Sequence, residues 1–438
     1  MQIDKTTLHD LAIVHNAEEQ SVFHFLNHTH TNGGREVLKQ LLQSPLATLD
    51  EIINRQQTLQ FLIPLLPKWP TNTITNGTIL VLEKFYETPV SPYPARIGSL
   101  QATAYQLLQR TDYSLTKYTV EHTLQFLHGW QDIAHLLQNA NNNQIVAWRN
   151  QIVNCLQIPQ VQTMLALPKS ALLTPVQVLQ AAYFLRHHFK QSMLLLIHLY
   201  HTLDAYLSLA TACQQHQFCF PNFLNTPEPY LHISGLYHLQ LHQPTAYEVQ
   251  FSLQSNFLFL TGANMAGKST FIKAVGIAVY LAHLGMGVPA QQMELCFFDG
   301  LLSNIHVADN LIKGESYFFN EVQRVKNTIQ QISDGKKWLI LIDELFKGTN
   351  VQDAMKCSTA VVEGLRKMPT AIFILSTHLY EIGAHLQQYT NIQFKYFETC
   401  VTNNQLTFHY QLKNGISNDR LGYLILQREG VVDLLNAL

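Results

Sequence analysis

One loop motif constrains the fold of this chain more than any other feature of its sequence. Residues 262–269 read GANMAGKS and match the pattern G-x-x-x-x-G-K-[ST]. The apolar residues 257–260 precede the loop and predict a buried strand, and residues 270–275 predict the start of a helix. Between a strand and a helix, such a loop directs its backbone N–H groups and the helix N-terminus at phosphates. The sequence therefore predicts a nucleoside triphosphate site in an α/β domain.

Two further apolar runs end in polar side chains that suit the same site. The run WLILI predicts a strand that ends at Asp343 and Glu344, and the run AIFILST predicts a strand that leads into His378. In P-loop enzymes an acid at such a strand end holds Mg²⁺ together with the loop hydroxyl, here that of Ser269. Glu344 is then the candidate that orients or deprotonates the attacking water. His378 is the candidate that contacts the γ-phosphate or the same water.

The candidate residues of this site fall into three roles. The catalytic candidates are Glu344, His378 and Lys268, and the ammonium of Lys268 offsets phosphate charge. The Mg²⁺ candidates are Ser269 and Asp343. Tyr247 is the candidate apolar partner for adenine, and an ordinary core position explains it equally well. The ATP-binding candidates are Gly262, Ala263, Asn264, Met265, Ala266, Gly267, Lys268, Ser269, Thr270 and Tyr247.

Composition and charge set limits on the partners and the compartment. The chain has 438 residues, which predicts two to three domains, and a formal net charge of −2. A dedicated DNA-binding chain usually has a basic surplus, and this sequence shows none. The start, MQIDK, has no basic-then-apolar leader, and the six cysteines contain no CxxC pair, which indicates a cytoplasmic protein with reduced thiols. The 21 histidines include no HExxH pattern, so no metal site beyond Mg²⁺ is expected.

The hydrophobic pattern changes near residue 220. Residues 1–220 carry apolar side chains at spacings of three and four, which predicts a mostly helical domain. Residues 221–438 alternate short apolar strands with helices, which is typical of an α/β domain.

One segment of the helical part is unusually long. Residues 175–213 lack glycine throughout and lack proline after Pro175, and they predict one helix suited to a lever between distant parts of the molecule. Their most apolar stretch is interrupted by His198, His201 and Asp204, which favours a buried helix over a membrane span.

Taken together, the motifs resemble one family, the MutS ATPases of DNA mismatch repair. The dipeptide Asn264-Met265 is typical of P-loops in that family. The other segments that resemble the family's ATPase signatures are residues 309–321 (DNLIKGESYFFNE), residues 343–349 (DELFKGT) with Asp353, and residues 376–378 (STH). Outside the ATPase, residues 33–38, 45–46, 53–56 and 204–210 resemble parts of the family's helical core and lever.

The resemblance implies both a fold and a function. The implied fold is an N-terminal all-helical core and lever domain over residues 1–220, followed by a P-loop ATPase domain of the ABC type over residues 221–438. The implied cofactors are ATP and Mg²⁺. The implied partners are a second copy of the chain, whose site Gly314 and Ser316 would complete in trans, mismatched or branched DNA bound weakly, and other repair proteins. No membrane partner is implied, and the location is cytoplasmic or nucleoid-associated.

The chain also departs from the family pattern. Phe346 and Lys347 replace a glycine and an arginine, and Tyr317-Phe318 replaces a Thr-Phe pair, so contacts across the dimer are expected to differ in detail. The chain begins where the family's core domain begins, so the mismatch-reading domain and connector are not expected, and little room remains for the DNA clamp. Residues 85–87 (FYE) match the family's Phe-x-Glu wedge only superficially, because they follow a helical stretch inside the core.

Three hypotheses of function remain open on the sequence. The first is an ATPase of the MutS type that couples ATP to DNA binding in mismatch repair or related repair and recombination. The second is an ATP-driven dimeric switch that binds proteins and no DNA, which the neutral charge balance favours. The third is a transporter or chromosome-structure ATPase of the ABC superfamily. The third is disfavoured because the Leu-Ser-Gly-Gly-Gln signature is missing.

Overall fold

The chain forms two compact units. The structure is a computed structural model, and it describes residues 1–15, 17–89, 93, 96–169, 172–305, 317–402, 405–417, 426–427 and 430–436. Unit 1 comprises Met1–Phe25, Leu42–Ile53 and Gln215–Leu438, and unit 2 comprises Leu26–Leu41 and Asn54–Gln214. The sequence suggested a single division near residue 220, whereas these units group two N-terminal segments with the C-terminal half.

Helices dominate the first half of the chain, because its apolar residues recur at helical spacing and each helix buries one face. Short 3₁₀ turns occur at Glu18–Gln20 and Ile63–Lys68. In chain order the elements are β1 (Gln2–Ile3), α1 (Lys5–Asp10), α2 (Val22–Leu26), α3 (Asn32–Gln43), α4 (Leu49–Leu62), α5 (Asn76–Glu87), α6 (Ser99–Leu108), α7 (Arg110–Leu136), α8 (Asn143–Leu156), α9 (Pro159–Leu165), α10 (Pro175–His187) and α11 (Lys190–Gln215).

The prediction of one helix over residues 175–213 is wrong, because the structure has two helices there. His188 and Phe189 both donate their backbone N–H to Phe184 O, at 2.8 and 3.1 Å, and these bonds close α10. The ring of Phe189 is fully buried and stacks on Phe184, with 5.4 Å between ring centroids. Burial of this ring stabilises a break that contains neither glycine nor proline. The sequence pattern therefore gave no sign of it.

Helix α11 lies in the core of unit 2 along most of its length. Among the described helices it alone has the length and hydropathy of a membrane span, and 72% of its most apolar window is buried inside the protein. That burial agrees with the expectation of a core helix. Its Asp204, only 3% exposed, accepts hydrogen bonds from His30 N at 3.0 Å and from Thr31 N and Oγ1 at 2.8 and 2.7 Å. At Gly34 a Cβ atom would lie 2.2 Å from Asp204 Oδ2, so this close approach requires glycine.

Replacing Asp204 with alanine is expected to destabilise the protein by about 3–5 kcal/mol, because three donors would lose their acceptor in a buried site. Urea unfolding followed by circular dichroism measures the change. Asp132→Ala is the matched control, since Asp132 pairs with Lys169 at 2.8 Å on the surface, where both side chains are about half exposed. The control is expected to cost about 1 kcal/mol or less. Equal losses in the two variants would contradict a special role for Asp204.

The second half of the chain supplies most of the strands and helices of unit 1. The strands are β2 (Asn222–Leu224), β3 (Leu231–Leu236), β4 (Tyr247–Phe251), β5 (Phe257–Gly262), β6 (Gln292–Cys296), β7 (Gly300–Asn304), β8 (Trp338–Asp343), β9 (Ala371–Ser376), β10 (Ile392–Thr402) and β11 (Gln405–Asn414). The helices are α12 (Lys268–His283), α13 (Tyr317–Ile332), α14 (Val351–Leu365), α15 (Glu381–Leu386) and α16 (Val431–Asn436).

Two sheets organise these strands. The larger has seven strands in the order β1-β7-β8-β9-β5-β10-β11, and all its pairs are parallel except β10 with β11. The smaller has four strands in the order β2-β6-β3-β4. Strands β5, β8 and β9 are apolar and buried along nearly their whole length, as parallel strands covered on both faces must be. Their carboxyl ends meet at one edge of the large sheet, and this edge is where polar side chains gather.

The N-terminal residues belong to the large sheet, which corrects the expectation of an all-helical beginning. Strand β1 pairs with β7 at Gln2 and Ile3. The following helix α1 carries Asp10, which is fully buried and accepts hydrogen bonds from Ser303 Oγ at 2.5 Å and Ile305 N at 3.0 Å. A two-residue strand cannot be predicted from hydrophobic periodicity, so no local pattern indicates this pairing. At the coarser level the expected mixture of helices and sheets is present.

Candidate functional site

The GANMAGKS loop connects β5 to α12 at the carboxyl edge of the large sheet. Gly262 and Gly267 have φ values of 137° and 106°, a region that glycine enters without steric cost. A Cβ atom at Gly262 would lie 3.1 Å from Phe397 O, so the position is also crowded. Met265 has a φ of 66° and a side chain that is 72% exposed. The loop thus has the strand–loop–helix setting that its sequence predicts, with the N-terminus of a 16-residue helix directed at the site.

Lys268 is folded back onto the loop that carries it. Its Nζ donates to Gly262 O at 2.8 Å and to Ala263 O at 2.9 Å, and the side chain is buried. Burial lowers the pKa of Lys268 to about 8, although the carboxylates of Glu344 and Asp343 act in the opposite direction. The ammonium therefore lies in a poorly solvated place where an additional negative charge would be strongly attracted.

Ser269 and Asp343 meet although 74 positions separate them in the sequence. Ser269 Oγ donates to Asp343 Oδ2 at 2.5 Å, and Ser376 Oγ donates to the other oxygen, Oδ1. Hydroxyl and carboxylate oxygens are ligands that Mg²⁺ accepts, and Mg²⁺ is usually held by one or two carboxylates together with substrate phosphates. Within the described residues, no three His, Cys, Asp or Glu side chains gather as a metal cage. This donor set fits a Mg²⁺ ion that arrives with a nucleotide.

Glu344 lies between two basic side chains just beyond β8. Its Oε1 is 2.9 Å from His378 Nε2, and its Oε2 is 3.2 Å from Lys347 Nζ. Burial alone would raise the pKa of Glu344, but the hydrogen bond and charge of His378, followed by those of Lys347, outweigh burial and lower it below its ordinary value. The residue is therefore a carboxylate at neutral pH.

His378 Nε2 also lies 3.3 Å from Lys268 Nζ. One ring nitrogen cannot accept a proton from the lysine and donate one to Glu344 at the same time. The shorter distance, to Glu344, favours the tautomer or imidazolium that carries a proton on Nε2. His378 is thus placed to pass or hold a proton beside Glu344.

A cavity of about 420 Å³ opens in front of these groups and brings most of the candidate residues together. Predicted residues that line it are Tyr247, Ala263, Asn264, Met265, Gly267, Lys268, Ser269, Thr270, Asp343, Glu344 and His378. Gly262 and Ala266 do not line it, and Gly262 instead accepts the bond from Lys268. Gly314 and Ser316 lie outside the described residues.

Two aromatic rings flank the cavity. Tyr247 packs edge-on against Phe271 and Phe397, at 5.3 and 5.8 Å between ring centroids, so it is a core residue that also reaches the cavity wall. Tyr410 lines the same cavity and is 44% exposed, and it was not among the candidates. Its position depends on the antiparallel pairing of β10 with β11, so the sequence carried no local signal for it.

Phe85 of the rejected FYE match is buried in α5, and the guanidinium of Arg186 lies 5.1 Å from its ring centroid. A ring in this environment has its face covered by the protein. The placement agrees with a structural role for these residues.

Comparison with known proteins gives matches over nearly the whole chain. The model of MutS domain III matches residues 6–313, and the model of MutS domain V matches residues 258–433. A relative named DNA mismatch repair protein MutS from Streptococcus agalactiae is 28% identical over 242 residues, which cover 54% of this chain and 28% of the relative. A protein of the same name from Oceanobacillus iheyensis is 29% identical over 249 residues, which cover 56% of this chain and 28% of the relative. The chain thus matches less than a third of the length of these relatives.

Proposed function

The chain belongs to the MutS family, and from this premise we propose that it is a Mg²⁺-dependent ATPase that couples ATP binding and hydrolysis to DNA binding in mismatch repair or related DNA repair and recombination. The observation that carries the proposal is the convergence of Lys268, the Ser269–Asp343 pair and the Glu344–His378 pair on one cavity. Relatives named DNA mismatch repair protein MutS support the pathway.

Each group has a distinct part in the proposed hydrolysis. Lys268 exchanges its bonds to Gly262 O and Ala263 O for bonds to the β- and γ-phosphates. Ser269 and Asp343 would hold Mg²⁺, and the chemistry that Mg²⁺ supplies is neutralisation of charge on the transferred phosphoryl group. Glu344 accepts a proton from the attacking water, and its lowered pKa keeps it ready to do so.

His378 Nε2 lies 2.9 Å from Glu344 Oε1 and 3.3 Å from Lys268 Nζ, so the ring is close enough to the phosphate lysine to contact the γ-phosphate of bound ATP. Tyr247 and Tyr410 provide apolar ring surface for the base. The composition of this wall supports a nucleotide with an aromatic base over a simple polyphosphate.

We also propose a homodimer in the cytoplasm, in which Gly314 and Ser316 of one copy complete the site of the other. The support is the similarity of residues 309–321 to the family's signature segment. Sedimentation velocity with and without an ATP analogue tests the assembly, and a chain that stays monomeric in both conditions would contradict it.

DNA binding is expected to be weak and without a strong preference for mismatches, because the net charge of −2 provides no overall attraction to a polyanion. Fluorescence anisotropy with homoduplex, mismatched and branched DNA at several salt concentrations measures it. We expect a slope of log affinity against log salt of about −2 to −4. ATP should change the affinity, since a ligand shifts an equilibrium between states that it binds differently.

The alternative function is a dimeric switch that binds proteins and no DNA, which the neutral charge favours. No DNA binding with or without ATP would support that alternative. Tight, mismatch-specific binding by this chain would contradict the expectation of weak binding.

A further inference from the structure

Glu321 is a buried acidic residue that contacts the loop following β8. It lies on α13 and is 5% exposed. Its Oε1 accepts a hydrogen bond from Lys347 N, and its Oε2 accepts one from Gly348 N, both at 3.1 Å. A buried carboxyl group is costly unless such bonds compensate it, and bonds to a carboxylate are about twice as strong as neutral ones. Glu321 therefore fixes two consecutive backbone groups of the loop.

The loop itself adopts an unfavourable backbone conformation. Glu344 and Phe346 have φ values of 66° and 60°, which side chains with a Cβ atom rarely adopt. Each such residue costs about 1–3 kcal/mol and persists only where its surroundings hold it. Glu344 N donates to Ser376 O at 2.9 Å, which holds one end of the loop, and Glu321 holds the other. The ring of Phe346 also packs against Phe318 of α13, with 5.7 Å between centroids.

Lys347 connects Glu321 to Glu344, the proposed base. Its backbone N–H donates to Glu321 Oε1, and its ammonium lies 3.2 Å from Glu344 Oε2. Movement of the backbone at Lys347 would therefore change the position from which its side chain reaches Glu344. Three titratable groups interact with Glu344, and each comes from a different place in the fold: His378 after β9, Lys347 in the same loop and Lys268 on α12.

We propose that Glu321 is a positioning residue for ATP hydrolysis, acting through Lys347 to hold Glu344 in place. This inference rests on the proposed ATPase function. Glu321 touches neither the cavity nor the phosphate-binding loop. Replacing Glu321 should therefore lower the turnover rate and leave the affinity for the nucleotide unchanged.

Glu321→Gln tests the inference with a side chain of the same size. The amide oxygen of glutamine can accept the N–H of Lys347 or that of Gly348. The amide nitrogen then faces the remaining N–H, and two donors cannot form a hydrogen bond with each other. The free energy of one charge-assisted hydrogen bond corresponds to about a tenfold change in an equilibrium constant. We therefore expect kcat to fall about tenfold while KM for ATP stays within about twofold.

Glu363→Gln is the matched control. The Glu363 carboxylate accepts from Tyr389 at 2.8 Å and pairs with His385 at 2.9 Å, so it also joins separate segments of unit 1, but it lies outside the site. Its kcat and its KM for ATP should remain those of the unmodified chain.

Lys347→Met and Lys347→Arg test the same step at an exposed side chain, and they keep the inference testable if Glu321→Gln does not fold. Lys347→Met should lower kcat and leave KM for ATP unchanged, and Lys347→Arg should restore kcat. An unchanged kcat in Glu321→Gln or in Lys347→Met would overturn the inference. Those results in a chain whose turnover still depends on Glu344 would leave the ATPase function intact. No hydrolysis by the unmodified chain would overturn both.

Discussion

Glu344→Gln is expected to reduce ATP turnover by about two to four orders of magnitude while ATP still binds. The amide keeps the shape of the side chain but cannot accept the proton of the attacking water. The residue does not hold the loop or the Mg²⁺ ligands, so the nucleotide should remain bound. Phosphate release in a single turnover measures the first effect, and equilibrium titration with a fluorescent ATP analogue measures the second.

The binding comparison needs a controlled pH, because Glu344 also raises the pKa of Lys268. Without that carboxylate the pKa of Lys268 falls further below about 8, so the titration is made near pH 6, where the lysine is still charged. Undiminished turnover in Glu344→Gln would remove Glu344 from the role of base. His378, whose Nε2 lies 2.9 Å from Glu344, would then be the candidate to examine.

Much of this site could be predicted from short motifs because of one property of parallel sheets. Ser269, Asp343 and His378 are far apart in the sequence, yet each lies near the carboxyl end of a parallel strand. Asp343 ends β8, His378 follows β9, and Ser269 lies in the first turn of α12, after the loop that follows β5. Strands β5, β9 and β8 are neighbours in the sheet, so their ends lie side by side. A motif that identifies the end of one of these strands therefore also predicts where the polar side chain at that end lies.

Other features depend on contacts that no local pattern encodes. Tyr410 reaches the cavity through a strand pairing, and Glu321 reaches Lys347 through the packing of a helix against a loop 26 positions away. The break at Phe189 follows from the burial of one ring, and the sheet position of β1 involves only two residues. In each case tertiary contacts decide the outcome, and the sequence periodicity is compatible with more than one result.

ATP affinity is expected to depend on pH through Lys268. Burial disfavours the charge of Lys268 and lowers its pKa to about 8. The phosphates of ATP favour the ammonium and raise that pKa, so binding takes up a proton above about pH 8. Below that pH the lysine is already charged and the affinity should be constant. Above it the affinity should fall by up to about tenfold per pH unit. The terminal phosphate ionises near about pH 6 and does not interfere in this range.

Two substitutions separate the charge of Lys268 from its titration. Lys268→Met should bind ATP about a hundredfold more weakly, since it loses charge-assisted bonds worth about 3 kcal/mol, and its affinity should not change between pH 7 and 10. Lys268→Arg retains a charge throughout this range, so its affinity should also be independent of pH. Isothermal titration calorimetry in buffers of different ionisation enthalpy counts the proton directly. An affinity of the unmodified chain that stays constant up to pH 10 would show that Lys268 keeps its protonation state on binding.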